Sequence, residues 1–120
     1  MRAAGLKAIA TVVESTAVLI RSKHPSNSKL VDLIASRIKG VITAQRFVLC
    51  TYNVERQSLE KACKITPGKR APTINSLEES GWVAVSAMVE RKNIAIVMDD
   101  LAEVGASDIL VMKIDNSRTA

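Results

Sequence analysis

A chain of 120 residues, 48% hydrophobic and with a formal net charge of +5, fits one modest domain that buries a sizeable core and needs no disulfide staples. Its charge is one-sided: residues 1–49 hold eight basic and two acidic side chains, a net of +6, whereas residues 50–120 net −1. The chain's aromatics are Phe47, Tyr52 and Trp82, so the second part lacks the stacking platforms of a single-strand nucleic-acid binder.

No stretch of roughly 18 uncharged apolar residues marks a membrane span, and the first residues lack the charged, apolar, small-residue order of a secretory signal. The expectation is a soluble, cytoplasmic protein with no nucleic-acid or membrane partner. Cys50 and Cys63 have neither C-x-x-C spacing nor companion histidines, so they read as buried thiols in a reducing compartment.

In chain order, residues 7–22 are apolar and increasingly β-branched, which predicts a strand in their second half. Ser22 to Ser28, with His24, Pro25 and Asn27, is polar and reads as a linker; His24 is given no role. Asn27 or Ser28 can cap a helix in which Leu30, Leu33, Ile34, Ile38 and Val41 recur at helical spacing. After Gly40 the pattern changes. Val41 to Tyr52 begins with helical character and ends as a strand closed by Asn53.

Ser58 to Ile65 reads as a helix with Leu59, Ala62 and Cys63 on one face. The loop Ile65 to Thr73, I-T-P-G-K-R-A-P-T, then holds two prolines and a glycine, more constraint than a simple connector requires. Pro67-Gly68 suits a type II turn, in which only a residue without Cβ accepts positive φ cheaply. Pro72 forces Ala71 into an extended conformation and delivers Thr73 to the next strand. Thr73 to Leu77 is a short strand, Glu78 to Gly81 a hairpin turn and Trp82 to Glu90 a long strand. Asn93 to Val104 is a second amphipathic helix with Ile94, Val97, Met98, Leu101 and Val104 as its apolar stripe. Gly105 supplies its left-handed terminus, and Asp108 to Ile114 is the last strand.

From residue 42 onward the order is β-α-β-β-α-β. It predicts an α+β, ferredoxin-like domain: a four-stranded antiparallel sheet with two helices on one face.

Few residues suggest catalysis. Phosphate cradles need glycines close together, and here Gly5, Gly40, Gly68, Gly81 and Gly105 are never fewer than 13 positions apart. Asp99 and Asp100 diverge by about 100° on a helix and do not share an ion. Met88, Met98 and Met112 read as core filler. No catalytic residue and no metal ligand is assigned, and the residues point to a binding or regulatory module.

Five strings, Met1–Leu6, Gly40–Ala44, Thr66–Thr73, Gly81–Ser86 and Gly105–Leu110, resemble in order and spacing the C-terminal part of the long form of ATP phosphoribosyltransferase, most of all its fungal members. The resemblance covers essentially the whole chain. It implies the first step of L-histidine biosynthesis, in which ATP and phosphoribosyl pyrophosphate combine with magnesium and release pyrophosphate. Residues 1–25 would be a remnant helix and strand of the catalytic domain plus a linker. Residues 26–120 would be an ACT-like regulatory domain that binds L-histidine, mediates feedback inhibition and contributes to a homo-hexamer.

Without the phosphate loop, the chain alone is expected to be inactive and to bind no cofactor. Matching positions for the effector are Asn53, Lys69, Thr73, Met88 and Asp108. Asp108 would accept from the ammonium or imidazole, Thr73 would serve either end, Lys69 would face the carboxylate and Met88 would pack on the ring. Many relatives carry aspartate where this chain has Asn53. The alternative reading is a nucleic-acid-binding or purely oligomerising ferredoxin-like module.

Overall fold

The computed structural model describes residues 4–118. Helix α1 covers Ser28–Arg46, and the Asn27 side chain caps it by accepting from the Leu30 N–H at 3.1 Å. That bond satisfies one of the amides a first turn leaves free. The helix runs through Gly40 and passes at Arg46 directly into strand β1 (Phe47–Glu55), with no intervening loop. Gly40 is buried because the C-terminal segment lies on it: the Ser117 N–H donates to Gly40 O at 3.0 Å, and a Cβ at residue 40 would stand 2.5 Å from Asn116 Oδ1.

A 3-10 turn at Arg56–Ser58 leads into helix α2 (Leu59–Ile65), followed by β2 (Thr73–Ser76) and β3 (Trp82–Glu90). A second 3-10 turn, Arg91–Asn93, opens helix α3 (Ile94–Glu103), and β4 (Ser107–Lys113) completes the order. Gly105, at φ 86°, makes the turn between α3 and β4. The four strands form one sheet, β2-β3-β1-β4, antiparallel throughout. The fold is α+β, a four-stranded sheet with three helices.

Strict alternation in β1 and β3 decides where the core sits. Val48, Cys50, Tyr52 and Val54 of β1 and Val83, Val85 and Val89 of β3 point to one face, where Ala62 of α2 and Leu101 of α3 close over them. Each fully buried Val or Leu contributes about 1.5–3 kcal/mol. The other face, with Leu49, Thr51, Asn53, Ala84, Ser86 and Met88 half-buried on it, carries neither α2 nor α3.

Three expectations are corrected. Residues 6–27 contain no helix or strand, and Ile9 and Val12 are 98% and 95% exposed. β-branched residues favour a strand only where a neighbouring strand completes the ladder, and no strand of this sheet pairs with that segment. Only its end meets α1, where Leu19, Ile20 and Arg21 stand beside Val31, Ile34 and Ala35 and Arg21 Nη1 meets Asp32 Oδ1 at 2.6 Å. The helix expected over Met1–Leu6 falls partly outside the described residues, and within them Gly5 turns at φ 68°. Finally, Met88 and Met112 fill no core. Cross-strand register puts both beside Leu49 on the face away from α2 and α3, and Met112 is 46% exposed.

Candidate functional site

Asn53 lies near the end of β1, opposite Ala84 of β3 and Ser107 of β4. Between the Thr51–Leu110 and Asn53–Ser107 pairs, β4 holds one residue more than β1, a bulge. Asp108 occupies it at φ 51°, the left-handed region in which aspartate is among the few tolerated non-glycine residues. The bulge turns its carboxylate back toward β1. Asn53 Nδ2 donates to Asp108 Oδ2 at 3.1 Å and Ser107 Oγ donates to the same oxygen at 3.3 Å. Asp108 is exposed and has no basic side chain within ion-pair distance among the described residues. This corner is a fixed anion with neutral donors behind it and an open side for a cationic group.

Thr73, Lys69 and Met88 belong to the other part of the sheet. Thr73 pairs with Ser86, which pairs with Thr51, so three hydroxyls stand in one row across β2, β3 and β1. Lys69 Nζ lies 5.6 Å from the centroid of the Phe47 ring. Lys69 and Met88 line a cleft of about 320 Å³ together with Phe47, Pro67, Gly68 and Glu90. The structure therefore brings Asn53 to Asp108 and Lys69 to Met88, while Thr73 and Asp108 sit on opposite outer strands. Three interstrand spacings separate those strands, about 14 Å.

The loop that carries Lys69 is pinned at its start. Thr66 Oγ1 is 2.7 Å from the Tyr52 hydroxyl and donates to Ala62 O at 3.2 Å, so the phenol acts as donor to Thr66; both side chains are buried. Gly68 then turns at φ 67°, and a Cβ there would meet Ala71 O at 3.1 Å. Tyr52, Thr66, Ser107 and Phe47 are site-building residues that sequence reasoning did not assign. Tyr52 alone carried a signal, since a phenol on the buried side of an alternating strand must find a partner.

Burial pushes the Tyr52 phenol and the Cys50 and Cys63 thiols above their ordinary values. Cys50 is fully buried and Cys63 only partly so. Among the described residues no group of three His, Cys, Asp or Glu is placed to hold a metal ion, and no helix is long and apolar enough to cross a membrane.

A family model described as HisG, C-terminal domain, matches residues 44–116, from the end of α1 through β4 and into the segment over Gly40. This chain belongs to that family. It is 57% identical over 118 residues to the ATP phosphoribosyltransferase of Yarrowia lipolytica, 55% over 119 residues to that of Saccharomyces cerevisiae and 56% over 120 residues to that of Schizosaccharomyces pombe. In each case 98% of this chain is covered but only 39–40% of the relative. The chain thus spans about two fifths of the curated relatives it matches, and the family match begins in the last turn of α1.

Proposed function

We propose that this chain is the C-terminal regulatory part of an ATP phosphoribosyltransferase, binding L-histidine as a feedback inhibitor of the first step of L-histidine biosynthesis. Family membership supports the parent enzyme, and the Asn53–Asp108 corner is the observation that carries the effector reading. The β-α-β-β-α-β order with strands β2-β3-β1-β4 supports reading the domain as a ferredoxin-like, ACT-like module. Residues 26–120 form this domain in our reading, and residues 1–25 belong with the catalytic part. The whole enzyme works in the cytoplasm and joins ATP to phosphoribosyl pyrophosphate with magnesium. The described residues offer no metal-binding cluster, so no step through magnesium is assigned to them.

Free L-histidine carries an ammonium, a carboxylate and an imidazole, and the corner supplies an acceptor for either cationic end. Thr73 and Lys69 supply donors for the carboxylate, and Met88 an apolar wall. Because Thr73 and Asp108 are about three strand spacings apart within one chain, one histidine does not bridge them. Our reading places the effector between two copies, the β2 edge of one facing the Asn53–Asp108 corner of the other, within a homo-hexamer. α1 enters β1 without a loop, so a ligand that fixes the sheet also fixes α1. Inhibition follows when L-histidine binds one arrangement of the copies better than another, by about 1–3 kcal/mol.

Calorimetric titration with L-histidine alongside light-scattering measurement of mass tests this. Binding is expected only in the assembled species, and Asp108→Asn is expected to weaken it about tenfold or more. Absence of histidine binding by an assembled protein, with tight, steeply salt-dependent RNA binding in its place, overturns the reading in favour of a nucleic-acid module.

A further inference from the structure

At the end of the sheet away from Asn53, a second cleft opens where α1 meets β1 and β3 gives way to α3. It has a volume of about 620 Å³ and is lined by Gln45, Arg46, Phe47, Glu90, Arg91 and Lys92. Phe47 and Glu90 are cross-strand partners at the last step of the β1–β3 ladder, some 20 Å along β1 from Asn53 at the usual rise per residue. The cleft is therefore distinct from the Asn53–Asp108 corner.

Its charges are unbalanced in a specific way. The single carboxylate, Glu90, is already engaged: Lys92 Nζ lies 3.1 Å from Glu90 Oε2, and the Asn93 amide donates to the same oxygen at 3.5 Å. Arg46 and Arg91 have no carboxylate within ion-pair distance among the described residues. Two unpaired guanidinium groups arrive from different elements, the last turn of α1 and the turn after β3. Each offers a planar fork of donors that matches phosphate oxygens two at a time. A single carboxylate would answer one fork and leave the other; an anion with several oxygens and more than one charge answers both.

We propose that this cleft binds a multiply charged, phosphate-bearing small molecule. Such an anion ties Arg46 to Arg91 and so clamps the end of α1 against the sheet.

The test uses the 120-residue chain and sodium pyrophosphate as probe, with sodium sulfate at equal ionic strength as reference. Pyrophosphate is expected to bind about tenfold more tightly than sulfate and to shift the backbone amide signals of Phe47 and Arg91. Arg46→Gln and Arg91→Gln are each expected to weaken it about fivefold or more while keeping the wild-type circular dichroism spectrum. Arg46→Lys, which keeps the charge without the fork, falls between, and its measurement stands in if a glutamine variant fails to fold. Lys23→Gln, in the basic segment before α1, leaves affinity within about twofold. The proposal is overturned by absence of binding at millimolar pyrophosphate, by equal losses in the Lys23 and arginine variants, or by amide shifts centred on Asn53 and Asp108.

Discussion

Asn53 and Asp108, 55 positions apart in the chain, meet through one hydrogen bond of 3.1 Å between amide nitrogen and carboxylate oxygen. Replacing Asn53 by Asp would set two carboxylates against each other at that distance, and one of them would hold its proton to higher pH. A carboxyl with a raised folded-state pKa favours the fold at low pH and loses that contribution as pH rises. Asn53→Asp is therefore expected to melt close to wild type near pH 4 and about 0.5–1 kcal/mol less stably at pH 7. Denaturant midpoints across that range provide the check.

Asp108 at φ 51° carries backbone strain that glycine would relieve. Asp108→Ala and Asp108→Gly both remove the carboxylate, but alanine keeps the strain and loses the polar side chain that makes the conformation tolerable. Alanine is expected to be about 1 kcal/mol less stable than glycine at this position. Equal stability of the two variants would show that the bulge relaxes when its hydrogen bonds go.

Tyr52 and Thr66 are bonded at 2.7 Å, yet their loss should be unequal. In Tyr52→Phe, Thr66 keeps its bond to Ala62 O, so the change costs about 1 kcal/mol or less. In Thr66→Val the buried phenol is left without a partner, at about 1–3 kcal/mol. Urea unfolding of both variants measures the difference, and the larger loss belongs to Thr66→Val.

Alkaline pH should destabilise the fold before it touches any ion pair. Cys50 and Tyr52 have raised folded-state pKa values relative to ordinary values of 9.0 and 10.0, burial being the first cause for each. The unfolded chain releases those protons first. The stability they contribute is complete below about pH 9 and declines above it, by up to about 1.4 kcal/mol per pH unit for each group titrating. Cys50→Ala is expected to shallow that decline relative to wild type, read from thermal midpoints at pH 8 and pH 10.

Gly40 gives a test of the contact with the C-terminal segment. Gly→Ala in a helix interior gains up to about 1 kcal/mol, but here the added Cβ meets Asn116 Oδ1 at 2.5 Å. Gly40→Ala alone is expected to be close to neutral, and in an Asn116→Ala background stabilising by about 0.5–1 kcal/mol. A double-mutant cycle showing no coupling would mean that Asn116 swings aside freely.

Local pattern made part of this molecule legible. The bounds of β3 follow from alternation over Trp82 to Glu90 between a turn glycine and a helix start. The Pro67-Gly68 turn and the Gly105 helix end follow from residues whose backbone preferences admit few alternatives. The failures share a nonlocal cause. Val41 to Ala44 fits helix and strand periods alike, and the choice is made by the segment that covers Gly40. A strand in residues 7–22 needs a partner that local propensity does not supply. The bulge at Asp108 exists only in register with β1, and the role of Thr66 only beside Tyr52. For the site, the family resemblance indicated which residues to watch, but not that they lie at two corners of the sheet.

The contact between Ser117 and Gly40 has a mechanical consequence. A glycine inside a long helix is its softest point, a natural place to flex. Here the far end of the polypeptide splints that point, with a backbone hydrogen bond on one side and an amide side chain filling the missing methyl. That splint stiffens α1 at the position where a glycine would otherwise let it bend, between Ser28 and Phe47.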